Sequence, residues 1–194
     1  MKINIAVLLI VGILTYALTL YLSDNNIKPN ITNVPDKNST EETITNTQKI
    51  PSFDFTDIHG NTKTIGDFEG KIIILNFWAS WCAPCIKEFP DLLYTAANNP
   101  DDIVLIALSS DLDEGAIDKF ITKMKGTTGF ENLNFNAKNI FIAHDQDQAV
   151  TAGKFGTFKL PETLIIDRNQ NLRKKLIGAN WEIDDLQSSI DALK

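Results

Sequence analysis

Two residues carry the chemistry this chain is best placed to do. They are Cys82 and Cys85, its only cysteines, separated by Ala83-Pro84. Just before them runs Ile72-Ile73-Ile74-Leu75-Asn76-Phe77-Trp78, an apolar stretch of β-branched and aromatic residues too short for an ordinary helix. Such a run suits a strand buried on both faces in a parallel sheet. The residues after Cys82 open a helix, because a proline in the first turn lacks only an N–H that would have had no partner there. Cys82 then stands at or near the N-cap, and Cys85 lies one turn further in.

The thiolate is the reactive form of cysteine. Free amides at a helix N-terminus stabilise negative charge by about 0.3–1 kcal/mol, or up to ~2 when partly buried. Cys82 is therefore the expected nucleophile, and Cys85 is placed to attack a mixed disulfide formed at Cys82. A CxxC where a strand runs into a helix reads as a thioredoxin-like redox pair. Two plainer readings compete. Half of a zinc site would need more ligands, yet His59 and His144 are far apart with no ligand spacing between them. An inert disulfide would close so short a loop that it would add little stability.

Glu88 lies three residues past Cys85, so the two share a helical face at about 5–6 Å, whereas Cys82 is a rise of about 9 Å away. At an effective dielectric near 20, a charge at ~5 Å is worth up to ~3 kcal/mol, and at ~10 Å about half that. The carboxylate thus bears mainly on Cys85, raising its pKa and serving as a nearby proton acceptor. The plainer reading is an acid in an early helical turn, where the dipole favours it.

The chain's 194 residues, 43% apolar, suffice for one domain with a proper core and some extra segments. A net charge of −7 without a basic patch argues against nucleic-acid binding. Ile5 to Leu22 is 18 uncharged residues long. At about 1.5 Å per residue it spans about 27 Å, close to the ~30 Å hydrocarbon core of a bilayer. Residues 1–22 read as an uncleaved single-pass anchor. A cleaved signal peptide is the rival, but no A-x-A-like site follows. The positive-inside rule does not decide the orientation. Residues 23–50, rich in Asn, Thr, Ser, Asp and Lys, read as a solvated tether, leaving 51–194 as the domain.

Within that domain, Phe53–Ile58 and Thr62–Ile65 read as a hairpin with His59 exposed at its turn. Ile103–Leu108 reads as a second buried strand and Glu114–Lys125 as an amphipathic helix. The polar stretch 126–139 reads as a specificity loop or a tolerated insertion. A strand at Ile140–Asp145, a short helix at Gln146–Lys154, strands at Glu162–Asp167 and Leu172–Ile177, and a closing helix from Trp181 complete the pattern.

Asn76-Phe77-Trp78-Ala79-Ser80-Trp81-Cys82-Ala83-Pro84-Cys85, with Glu88, Pro90 and the later Leu160-Pro161-Glu162-Thr163, resembles the membrane-anchored TlpA/ResA-like thiol-disulfide oxidoreductases. The CcmG/DsbE cytochrome c maturation proteins are close by, and the resemblance spans about Pro51 to Lys194. It implies an α/β thioredoxin-like fold with an N-terminal hairpin and a central α/β insert, facing outward from a bacterial cytoplasmic membrane. It also implies that Pro161 is cis, against the trans geometry usual for X-Pro bonds. Leu160 would then offer backbone groups to an extended substrate by β-augmentation. Trp81 would flank the thiol, or serve a packing role. Glu162 leans toward the CcmG/DsbE branch, its plainer reading being a strand-edge acid.

The implied activity is reduction of disulfides in exported proteins such as apocytochromes c or copper-site proteins, with electrons from a membrane thiol carrier. Cys82, Cys85 and Glu88 would be catalytic, without cofactor or metal, in a monomer. An oxidase or isomerase is the alternative, and a copper chaperone using both thiols and His144 is a third. The Sco-like copper relatives, however, use a CxxxC and a later histidine, which this chain lacks.

Overall fold

In a computed structural model the chain divides into two units, Met1–Lys37 and Asn38–Lys194. The structure describes Tyr16 and residues 41–194 other than Glu114 and Ala179. The anchor expected at 1–22, Tyr16 excepted, and the tether up to residue 40 lie outside the described residues. Among those described, no helix is long and apolar enough to cross a membrane.

The second unit holds strands β1 (Glu41–Lys49), β2 (Asp54–Thr56), β3 (Thr62–Thr64), β4 (Ile72–Trp78), β5 (Ile103–Ser109), β6 (Ile140–His144), β7 (Glu162–Ile166) and β8 (Asn171–Ile177). Its helices are α1 (Ala83–Ala97), α2 (Gly115–Lys125) and α3 (Ile183–Asp191), with a 3₁₀ helix at Ile65–Phe68. Six strands form one sheet in the order β1-β8-β7-β4-β5-β6, while β2 and β3 pair as a separate hairpin. β4, β5 and β6 are parallel, and β7, β8 and β1 continue antiparallel from β4.

β4 lies inside the sheet with all seven residues buried, as its apolar run requires. Because successive strand residues face opposite sides, Ile72, Ile74 and Trp78 meet residues of α1, α2 and α3. Ile73, Leu75 and Phe77 meet the hairpin, the 3₁₀ helix and Phe155 on the other side. The same parity puts Asn76 on the helical side. There Trp78, Phe89 and Phe120 close a triangle with ring centroids 4.6, 4.7 and 5.3 Å apart, seating α1 and α2 on the end of β4.

Two expectations are corrected. Glu41–Lys49, assigned to the tether on its polar composition, is a strand, with Glu41 opposite Leu176 and Lys49 opposite Asn171. Without it β8 would be an edge with unpaired backbone groups, and its threonines suit an extended chain. The short helix expected at Gln146–Lys154 is instead a series of turns. The Asp145 carboxylate accepts the N–H groups of Val150 and Thr151 and the Thr151 hydroxyl, competing with helical bonding. Gln148, at φ 54°, takes a left-handed conformation that a helix does not admit. The expected insert between β5 and β7 is thus α2 and β6 alone. α1 runs through Pro90 to Ala97.

Phe89 is fully buried within the aromatic triangle. Phe89→Ala should destabilise the oxidised protein by about 3–5 kcal/mol, read as a lower urea midpoint.

Candidate active site

β4 delivers the chain to the C-terminal end of the parallel strands, where the turn Ala79-Ser80-Trp81 leads into α1. Asp111, just past β5, fixes that turn by accepting the Ser80 N–H at 2.9 Å and the Ser80 hydroxyl at 2.8 Å. The Ser109 hydroxyl donates to the same carboxylate at 2.6 Å, and His144 Nε2 donates to the Asp111 carbonyl oxygen. Cys82 is the N-cap of α1, with Pro84 in the first turn. Cys82 and Cys85 form a disulfide, and the Cys85 N–H donates to Cys82 Sγ at 3.3 Å. The two sulfurs are unequally placed: Cys82 is 6% exposed and Cys85 fully buried.

Beneath Cys85, on the same face of α1, Glu88 is 4% exposed. Its Oε1 accepts Asn76 Nδ2 at 2.8 Å and the Thr163 hydroxyl at 3.3 Å, and its Oε2 accepts Trp181 Nε1 at 3.1 Å. Asn76 also donates to Thr163 Oγ1 at 2.9 Å, from the position directly opposite it on β7. Burial pushes the Glu88 carboxyl up to about 7; the three hydrogen bonds pull against that, and the nearby Asp91 charge adds to it.

β7 runs antiparallel to β4 with Glu162 opposite Phe77, so the residues before it reach the CxxC end of β4. The Leu160–Pro161 bond there is cis, as the resemblance implied. Pro161 is buried, and its carbonyl accepts the Gly178 N–H, while Leu160 is half-buried and makes no hydrogen bond among the described residues. A cavity of about 400 Å³ opens beside Leu160, lined also by Trp81, Ser110, Thr157 and Phe158. Trp81 is 69% exposed and Phe158 88% exposed. Glu162 pairs with Lys175 at 3.1 Å. By strand parity it points away from Thr163 and Glu88.

The structure therefore brings Cys82, Cys85 and Glu88 together on α1 and sets Trp81, Leu160 and Pro161 about one end of β4. His59 is exposed at the hairpin turn and His144 is engaged by Asp111. Among the described residues no three His, Cys, Asp or Glu side chains cluster as metal ligands. Sequence reasoning missed Asn76, Thr163 and Trp181 as partners of Glu88, and Asp111 as the brace of the turn. Asn76 had a signal: it is the single polar residue of a doubly buried strand. Trp181, 93 residues from Glu88, had none.

The family model of the AhpC/TSA family matches residues 47–175. The chain belongs to the AhpC/TSA family. Within that family it is similar to the thiol-disulfide oxidoreductase ResA of Bacillus thuringiensis (strain Al Hakam), 30% identical over 133 residues that cover 68% of this chain and 69% of the relative. A secreted Mycobacterium tuberculosis disulfide oxidoreductase, described as homologous to E. coli DsbE, has a structure matching at TM-score 0.59 and 25% identity, covering 73% of this chain and 96% of that one. The exposed lipoprotein thioredoxin of Streptococcus pneumoniae matches at TM-score 0.57 and 26% identity, covering 74% and 100%. This AhpC/TSA-family chain is thus a thiol-disulfide oxidoreductase of the ResA and DsbE type with a thioredoxin-like fold, and Cys82–Cys85 is its redox-active pair.

The raised Glu88 carboxyl carries a stability consequence of definite sign. A group that binds its proton more tightly folded than unfolded stabilises the fold most below its unfolded pKa of 4.5 and loses that contribution as pH rises through about 7. The oxidised protein should lose about 3 kcal/mol of unfolding free energy across that window. Glu88→Gln should flatten the dependence in urea melts taken at successive pH values.

Proposed function

We propose that the domain reduces disulfides of exported proteins from the outer face of the cytoplasmic membrane, with Cys82 as nucleophile, Cys85 as resolving thiol and Glu88 as proton acceptor. In the reduced enzyme the Cys82 thiolate attacks a substrate disulfide. The substrate S–S bond breaks, a mixed disulfide forms, and the departing substrate thiolate takes a proton from solvent. Cys85 then gives its proton to Glu88 and attacks Cys82 Sγ, releasing the second substrate thiolate and leaving the Cys82–Cys85 disulfide present in this structure. Two electrons pass to the substrate, and a membrane thiol carrier restores the dithiol. This is thiol–disulfide exchange through a mixed disulfide.

The observation that carries this reading is Glu88 itself. Its carboxyl, raised to about 7 beside the deeper cysteine, can accept and return a proton near neutral pH. The half-buried Leu160, whose backbone makes no hydrogen bond among the described residues, supports docking of an extended substrate next to Cys82. The relatives described as exposed and secreted support an extracytoplasmic location. Oxidised CxxC pairs of apocytochromes c or copper-site proteins are the substrates to which the family resemblance points.

Cys85→Ala should halt the reaction at the mixed disulfide, and partners trapped on Cys82 in cells should be exported proteins carrying cysteine pairs. Equilibration against glutathione should place the potential nearer the about −270 mV of thioredoxin than the about −120 mV of strong oxidants. A value at the oxidising end would reverse the direction of the reading.

A further inference from the structure

Of the three groups that hold the Glu88 carboxyl, two belong to the sheet beneath it. Asn76 and Thr163 face each other across β4 and β7, and both serve Oε1. Oε2 has one donor, the indole N–H of Trp181 at 3.1 Å. Trp181 precedes α3, on the segment that connects β8 to that helix, and its ring is half-buried against the helical core. It is placed there by two local devices. Gly178, at φ 72°, turns the chain out of β8, and Glu182 N-caps α3 with Asp185 returning a bond to the Glu182 N–H at 2.8 Å.

From this arrangement we propose that Trp181 is a positioning residue for the exchange reaction. Its indole N–H fixes Oε2 and so orients the Glu88 carboxyl toward Cys85. The inference rests on the reading of Glu88 as proton acceptor. The geometry is selective. An indole is a donor only, so it favours the carboxylate over the neutral acid and cannot take the proton that Glu88 receives. Oε1 is already engaged from the sheet side, so the tryptophan decides how the carboxyl is oriented about its own axis.

The charged groups around the site are few. α1 contributes Asp91, whose charge disfavours the Glu88 carboxylate. Lys87 and Glu182 act on Asp91 in turn, and Asp184 and Asp185 follow in the first turn of α3. β4 and β7 contribute the neutral Asn76 and Thr163, and Glu162 with Lys175 lies on the opposite side of the sheet. None of these donates to Oε2, so removing the indole N–H leaves that oxygen without a replacement among the described residues.

The test starts with the oxidised full-length protein, in which the cysteines do not titrate. The Glu88 carboxyl is followed by carbon NMR and the Trp181 indole N–H by nitrogen–proton NMR. In the wild type the indole signal should titrate with the same midpoint as the carboxyl, and in Glu88→Gln it should not titrate at all. In Trp181→Phe the carboxyl midpoint should rise by about one pH unit, in keeping with a hydrogen bond to a charged acceptor. In the reduced enzyme, the pH profile for Cys85-dependent release of a model peptide disulfide should move up by the same amount. At pH 7 the rate should fall up to about tenfold, and Trp181→Phe should cost nothing further in the Glu88→Gln background.

An indole signal that ignores the carboxyl titration, or an equal rate loss with and without Glu88, would overturn the proposal and leave Glu88's role standing. If Glu88→Gln leaves the wild-type profile unmoved, the proton-acceptor reading fails, whatever the NMR midpoints show. The wild-type NMR arm stays decisive even where a Trp181 variant folds poorly.

Discussion

A carboxyl group taken out of water needs donors in place of the water it loses, and Glu88 imposes that need on four separate parts of this fold. α1 carries the acid, β4 and β7 supply Asn76 and Thr163, and the segment before α3 supplies Trp181. An ionised carboxylate in apolar surroundings costs several kcal/mol without such partners. With three of them the cost is partly offset, and the group settles with its carboxyl near 7 instead of remaining permanently neutral. The sheet register, the parity of β4 and the entry to α3 must all be right for that balance to exist. The site is therefore a product of the whole domain, although its cysteines come from one short motif.

The part of this that one sequence reveals is the part encoded locally. The doubly buried strand, the proline in the first helical turn and the spacing of Cys82, Cys85 and Glu88 depend on neighbours within about two helical turns, and all stand as read. Long-range partners are another matter. Thr163 meets Asn76 only because β7 pairs antiparallel with β4 in one register, and strand pairing across 87 residues leaves no periodic trace. Asn76 is the intermediate case. A polar residue inside a seven-residue buried strand demands a partner, so its presence announces a buried polar group without naming it.

Where sequence reading went astray, composition outweighed pairing. Glu41-Glu42-Thr43-Ile44-Thr45-Asn46-Thr47-Gln48-Lys49 has the polarity of a tether, yet its threonines tolerate an extended chain and the exposed edge of β8 gives it a partner. The turns after β6 fail in the opposite sense. The residues there have adequate helix propensity, but the Asp145 carboxylate captures the amides of Val150 and Thr151 before a helix can use them. β1 extends the sheet at its edge and delivers Ile50 to the face opposite α1, and the turns after β6 bring Val150 and Phe155 to that same face. There Ile50, Val150 and Phe155 help to cover the apolar residues that β4 turns away from the active site. Sealing that face lets β4 hold Asn76 and the start of α1 in fixed relation to each other.

The two sulfurs, finally, are placed in opposing fields, and that contrast bears on the direction of electron flow. Cys82 caps a helix whose first amides point toward it, which lowers the cost of a thiolate there. Cys85, fully buried above an acid that ionises near neutral pH, meets a field that raises the cost of a second thiolate. A strongly oxidising dithiol requires a reduced form stabilised by its thiolate, as in the most oxidising exchange proteins. Here the stabilisation at Cys82 is limited to the helix terminus, and Glu88 acts against any further negative charge in the pair. On the proposed reading the reduced dithiol gains little from ionisation, so its electrons are held loosely. That is the electrostatic ground for preferring a reductase over an oxidase, and it depends on the same buried carboxyl that the rest of the domain is built to hold.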